Sequence, residues 1–142
     1  MLVRLLYASR PTSALTASLI DTILAQSQDG NQAKGITGIL CFSDDLFLQV
    51  LEGGRDEVCE LFNAIVHDAR HEHVRILAYD EIPERRFGGW SMGQVNIARV
   101  NPSLLLKYSV KATLDPFSCS GRASMALLDE LIATASVVGR AN

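Results

Sequence analysis

The sequence predicts an α+β domain of order βαββαββ with two more helices behind it, and three observations carry that prediction. Residues 35–53, GITGILCFSDDLFLQVLEG, are two apolar runs joined by a polar turn at Ser43-Asp44-Asp45, the signature of a β-hairpin. An amphipathic helical pattern stands on each side of this hairpin, and a strand-like run precedes the first helix and follows the second. Strand residues alternate between faces, and here both faces are apolar: Leu6, Leu48 and Val50 point opposite to Tyr7 and Gln49. A hairpin set between two βα units is the split pattern of the ferredoxin-like fold. One mixed five-stranded sheet is expected, with two helices on one face. The C-terminal helices are expected to cover the other face, docking back in the same chain or on a partner.

The first strand is residues 2–9, with Val3, Leu5, Tyr7 and Ser9 on one face and Leu2, Arg4 and Leu6 on the other. Arg10-Pro11-Thr12 stops it, and Thr12 or Ser13 is placed to cap the helix that follows. Leu15, Leu19 and Ile23 form one column of that helix, with Ile20 and Leu24 beside it. Gln28-Asp29-Gly30-Asn31 is expected to end it, with Gly30 as a left-handed cap and Asn31 just beyond. The hairpin strands are residues 36–42 and 46–51, and Gly53-Gly54 breaks the second. Val58, Leu61, Phe62, Ile65 and Val66 keep helical spacing, so the second helix is expected to reach about Arg70. A fourth strand over residues 74–79 and a fifth over 90–97 follow, the latter with Trp90, Met92 and Gln94 on one face. Asn101-Pro102-Ser103 starts a helix, with Asn101 as cap and Pro102 at its first position. Residues 115–121 link it to a last helix carrying Leu128, Leu131, Ile132 and Ala135 on one side.

At 142 residues, 48% apolar and 20% charged, the chain is long enough for one domain with its own core. A net charge of −3 leaves no basic footprint and argues against nucleic acid as a partner. Cys41, Cys59 and Cys119 are odd in number and far apart, which argues against a disulfide framework or a zinc ribbon and suits a reduced, cytoplasmic setting. The opening MLVRLLYASR is broken by Arg4 too soon for a signal peptide, and no stretch approaches the roughly 18 apolar residues of a membrane span.

Gln49 is the oddity in this pattern, an amide set on an apolar strand face between Phe47 and Leu51. A buried amide without partners costs on the order of 1–3 kcal/mol, so a side chain, a water or a ligand must meet it. Tyr7, Gln49, Trp90 and Met92 are placed to point toward the helix-bearing face, with Asn31, Asp68, Arg70 and His71 at its rim. That describes a cleft floored by a sheet, with a few convergent polar groups. A core tyrosine and a Trp–Met packing pair are the plainer reading of the same spacing.

At these residues the sequence resembles a BLUF domain, the blue-light sensor that uses FAD. The likeness lies in LVRLLYASR with Tyr7, Asn31 before GITGIL, FLQVLEG with Gln49, DARH from Asp68 to His71, and RRFGGWSMG with Trp90 and Met92. It covers roughly residues 1–99, implying a flavin-binding photosensor unit there and a helical extension over 100–142, as in short members without a fused output domain. The resemblance implies FAD between the two parallel helices. Tyr7 then matches the photochemical tyrosine, Gln49 the glutamine linking it to the flavin, and Asn31 the amide on the ring's polar edge. Ile23 and Ile65 match apolar positions packing on the ring, although plain core is the equal reading from spacing. Ser27, Asp68 and His71 match positions near the ring's edge, and Arg70 is compatible with a phosphate or edge contact. Trp90 and Met92 match a pair that exchanges places on switching, and Trp90 is also a competing electron donor. The chain departs from some members at Gly30, where they carry a polar residue, and near Ala64, where they carry a basic one.

The resemblance implies a photoreceptor without net turnover that signals to a separate downstream protein; a homo-oligomer is open. The chief alternative is an acylphosphatase-like enzyme on the same fold, with Gly53-Gly54-Arg55 as its only phosphate cradle. His67 and His71 stand at i, i+4 with His73 two further on, a zinc-compatible spacing that a charged helix end explains more simply, so no metal is expected. A pure interaction module using the apolar sheet face is the third reading.

Overall fold

Strand β1 (Leu2–Pro11) lies inside the sheet because both its faces are apolar: Val3, Leu5 and Tyr7 bury on one side, Leu6 and Ala8 on the other. The structure is a computed structural model that describes residues 1–134 and 136–139. After β1 come α1 (Ala17–Lys34), β2 (Thr37–Ser43), β3 (Leu46–Gly54), α2 (Arg55–His67), β4 (His71–Ile82) and β5 (Gly93–Asn96). A 3-10 turn (Ile97–Arg99), α3 (Pro102–Tyr108) and α4 (Gly121–Ala133) complete it. The sheet order is β4-β1-β3-β2-β5, antiparallel throughout except for the parallel pair β2–β5. This is the mixed ferredoxin-like sheet that the sequence predicts.

Two cores sandwich it. On one face Ile20, Ile23 and Leu24 of α1 and Val58 and Phe62 of α2 pack on Val3, Leu5, Tyr7, Phe47 and Leu51. On the other, Leu105 of α3 and Leu127, Leu128 and Leu131 of α4 pack on Leu6, Leu48 and Val50. The second face is thus covered from within the same chain. Ile132 packs against that core, and Ala135, expected beside it, lies outside the described residues.

Several boundaries differ from the expected ones. Helix α1 starts later, capped by Thr16, whose Oγ1 accepts from the Leu19 N–H at 3.1 Å. Neither Thr12 nor Ser13 caps it, because β1 runs on through Arg10 and Pro11 in register with Glu72 and His71, and Thr12 bonds the Arg70 and Ala69 carbonyls. Helix α1 also ends later. Gly30 stays helical, and Gly35 is the left-handed cap at φ 68°, its N–H reaching the Asn31 and Gln32 carbonyls. Interior glycine costs about 1 kcal/mol of helix propensity, but the Gln28 and Asn31 amides hold this turn to the carbonyls of Met92 and Ser91. Gly53 and Gly54 continue β3, paired with Val3 and Leu2, and Gly54 is at once the N-cap of α2. Helix α2 stops at His67, three residues short of Arg70, and β4 is twice the expected length because it pairs along all of β1.

Strand β5 begins only at Gly93, so Trp90 and Met92 precede it and do not share a face. Trp90 buries in the core under α3 and α4, and Met92 in the core under α1 and α2. Trp90 O accepts from the Gly38 N–H of β2, while the carbonyls of Ser91 and Met92 accept from the Asn31 and Gln28 side chains of α1. Asn101 caps α3, with Pro102 at its first position, as expected. Beyond α4 the chain returns to β5, where Gln94 and Val138 exchange N–H···O bonds of 2.9 and 3.0 Å.

Candidate functional site

Tyr7 and Gln49 stand directly opposite each other in the β1–β3 register. Opposed residues of an antiparallel pair project to the same face with Cβ atoms about 4.5–5.5 Å apart. Here that brings a phenol to an amide: the Tyr7 hydroxyl donates to Gln49 Oε1. The other end of the amide is engaged too, with Gln49 Nε2 donating to Met92 Sδ at 3.2 Å. A thioether accepts weakly and never donates. Met92 therefore matches only the –NH2 end of Gln49, and a reversed amide would set its carbonyl against a sulfur with no proton to offer. Complete burial pushes the Tyr7 phenol far above its ordinary value, and the nearby Asp68 charge adds to this. The tyrosine is neutral at any physiological pH.

Above this pair a cleft of about 280 Å³ opens between α1 and α2. Tyr7, Leu40, Phe47 and Gln49 floor it, Ile23, Ser27 and Asn31 line the α1 side, and Leu61, Ala64 and Ile65 the α2 side. Asp68, Arg70 and His71 stand at the end where α2 gives way to β4, on the turn and the first strand residue rather than on the helix. The Asp68 carboxylate accepts from the Arg70 N–H at 2.9 Å and from its guanidinium at 2.6–3.0 Å. These bonds pull Asp68 down to about 2. Arg70 also donates to Gln26 Oε1 of α1 at 3.1 Å, which ties the two sides of the cleft together. Ser9 Oγ and His71 Nδ1 are 2.9 Å apart, and the His71 ring lies 4.9 Å from that of Phe47. Burial lowers the His71 pKa and keeps the ring neutral at pH 7.

The structure thus brings together Tyr7, Ile23, Ser27, Asn31, Gln49, Ile65, Asp68, Arg70 and His71. Met92 meets them from beside Gln49. Trp90 does not: it lies across the sheet in the other core. Sequence reasoning misses Gln26 and Lys34 at the mouth. Gln26 stands three residues after Ile23, and Lys34 three after Asn31, but a helix ended at Gly30 cannot carry that spacing to Lys34. A larger cavity, about 820 Å³, lies between the start of α1, β5 and α3, and none of the predicted site residues lines it.

The histidines have three separate settings: His67 bonds the Asn63 carbonyl, His71 pairs with Ser9, and His73 packs on Phe117. Among the described residues no group of three or more His, Cys, Asp or Glu could hold a metal ion. The acylphosphatase alternative gains no support, since Gly53 and Gly54 are strand residues and Arg55 is paired with Glu81. Among the described residues no helix is long and apolar enough to cross a membrane.

Residues 2–93 match the family model described as sensors of blue-light using FAD, BLUF. This chain belongs to the BLUF family. It is 34% identical over 88 residues to the blue light- and temperature-regulated antirepressor BluF of Escherichia coli K12, a match covering 62% of this chain and 22% of that protein. It is 32% identical over 77 residues to the photoactivated adenylate cyclase subunit alpha of Euglena gracilis, over 54% of this chain and 8% of that protein. The chain therefore spans less than a quarter of the length of these curated relatives. Among solved structures, the dark state of BlrB, a BLUF protein, superposes with a TM-score of 0.79 at 34% identity, covering 94% of this chain and 96% of that one. The BLUF family senses blue light using FAD, and the match to the cyclase subunit takes in 77 residues, 8% of that protein.

Proposed function

We propose that this chain holds FAD non-covalently in the cleft between α1 and α2 and reads blue light through Tyr7 and Gln49. The observation that carries this is the buried chain of Tyr7 hydroxyl, Gln49 amide and Met92 sulfur at the floor of that cleft. The residues fit a flavin ring. Asn31 and Gln49 are buried amides, each with a donor and an acceptor end, which suits a ring edge of alternating carbonyl and N–H groups. Ile23 and Ile65 supply apolar walls, with Ser27, Asp68, Arg70 and His71 at the edge. A cleft of about 280 Å³ falls just below the roughly 300–1,000 Å³ range of ligand sites. It suits the ring and leaves the dinucleotide at the mouth near Lys34 and Arg70. FMN would make the same ring contacts; the family's use of FAD favours FAD.

Once bound and excited by light, a flavin supplies a strong one-electron oxidant. Tyr7 is the electron donor. Oxidation makes its O–H strongly acidic, and the acceptor already in place is Gln49 Oε1. The amide of Gln49 then rotates or changes tautomer, so the direction of its hydrogen bonds reverses. With a flavin bound, the electron would come back to Tyr7 from the ring and the proton back through Gln49, so nothing is turned over. Either change alters what Gln49 presents to Met92, whose carbonyl is bonded by Gln28 and whose chain neighbour opens β5. Strand β5 meets the tail at the Gln94–Val138 bridge. Residues 1–99 form the sensor unit in this reading and residues 100–142 carry its state to a separate downstream protein. The free thiols of Cys41, Cys59 and Cys119 suit a reducing, cytoplasmic setting.

The purified protein is expected to be yellow and to release FAD on denaturation. Its flavin bands are expected to move slightly to the red under blue light and to recover in darkness. A colourless protein that cannot be reconstituted with FAD would contradict the reading.

A further inference from the structure

Glu52 is a fully buried carboxylate three residues along β3 from Gln49, and it points to the opposite face of the sheet. Both of its oxygens accept hydrogen bonds. Oε2 accepts from Arg4 Nε at 2.7 Å and from the Arg86 N–H at 3.0 Å, and Oε1 accepts from the Phe87 N–H at 2.6 Å. Arg4 Nη2 adds an ion pair at 2.7 Å, and the Arg4 guanidinium lies 5.8 Å from the centre of the Phe87 ring. Beside it Arg85 donates to Thr37 Oγ1 at 2.9 Å and to the Glu52 carbonyl at 3.2 Å. A buried acid–base pair is a poor way to gain stability, because desolvation of both charges offsets their attraction. What this pair does hold is a segment. Residues 85–92 have no regular structure, yet Glu52 grips their start and Gln49, on the same strand, grips their end through Met92.

We infer that Glu52, with Arg4 and Arg85, is a positioning residue that sets how Met92 seats against the Gln49 amide, and so sets the lifetime of the light-adapted state. The inference rests on the proposed photochemistry of Tyr7 and Gln49. A firmly seated Met92 sulfur opposes the reversed amide, because it offers no proton to the carbonyl. Loosening residues 86–92 removes that opposition, and the light-adapted state lives longer.

Glu52→Gln tests this. It exchanges one acceptor oxygen for an –NH2, which sets another donor against either the Phe87 N–H or the donors of Arg4 and Arg86, whichever way the amide turns. Arg85→Gln loosens the same segment without leaving a buried charge unpaired, and it serves if Glu52→Gln does not fold. Two readouts are needed. Hydrogen exchange in the dark, on flavin-loaded and flavin-free protein alike, is expected to quicken over residues 86–92 and to stay unchanged in α2. Dark recovery after a blue flash is expected to slow by about fivefold, the factor that corresponds to one hydrogen bond. Variants that load flavin and recover at the wild-type rate or faster would overturn the inference, as would unaltered exchange over 86–92. A wild-type protein with no light-induced shift would instead defeat the proposed photochemistry while leaving the exchange result to be judged on its own.

Discussion

At the scale of single residues, the site is a set of polar groups whose partners decide their state. Tyr7 is neutral because it is buried beside a negative charge, and Gln49 is oriented because one neighbour donates and the other only accepts. The demand of Gln49 for a partner was legible in the sequence, since an alternating strand sets one amide among apolar neighbours; that Tyr7 meets it depends on the β1–β3 register. Trp90 was not legible, because the side it takes depends on where β5 begins, and residues 90–92 meet β2 and α1 through contacts distant in sequence that no local pattern shows. Asp68 gives a pH signature. An unfolded aspartate titrates near 3.8, and the Arg70 hydrogen bonds bring the folded one to about 2, so the folded state binds fewer protons between those values. Its stabilising contribution is complete above about pH 4 and is lost as the pH falls toward 2. Urea midpoints measured from pH 5 to pH 2 are expected to fall less steeply for Asp68→Asn than for the wild type. Equal slopes would mean that Arg70 does not hold the carboxylate.

At the scale of elements, the types were readable and the ends were not. The hairpin 35–53 and the spacing in α2 need only local information. The ends of α1 depend on what the helix touches: β1 delays its start by pairing with β4, and contacts to residues 91 and 92 carry it past Gly30. Those contacts place Asn31 inside α1, buried and aimed at the loop that holds Met92, instead of on a turn outside it. Gly35 then takes the left-handed cap at φ 68°, where the nearest atom to an added Cβ would be an Arg85 nitrogen at 3.9 Å. Space is not the constraint at this position; backbone conformation is. Gly35→Ala is expected to cost about 1–2 kcal/mol, the penalty for a Cβ in that region, read as a lower urea midpoint. An unchanged midpoint would show that the cap is not left-handed.

At the scale of the whole molecule, one sheet carries two cores, one under the sensing cleft and one under the tail. The sequence already demanded a cover for the second face; it could not say that the cover would come from this chain. Nor could it show the buried Arg4–Glu52 pair, because a charged residue on a strand reads as solvent-facing until its partner is known. Leu128 of α4 is fully buried in the second core. Leu128→Ala is expected to cost about 2–5 kcal/mol while leaving the flavin bound under native conditions, because the tail core and the cleft lie on opposite faces. Loss of flavin with no loss of stability would mean that the two faces are not separate. The central claim is that light is read by the Tyr7–Gln49 pair. The measurement that tests it most directly is the dark-minus-light absorption spectrum of Tyr7→Phe beside the wild type. The account predicts that both proteins bind flavin and that only the wild type shows the reversible red shift. A Tyr7→Phe protein that shifts and recovers as the wild type does would contradict it.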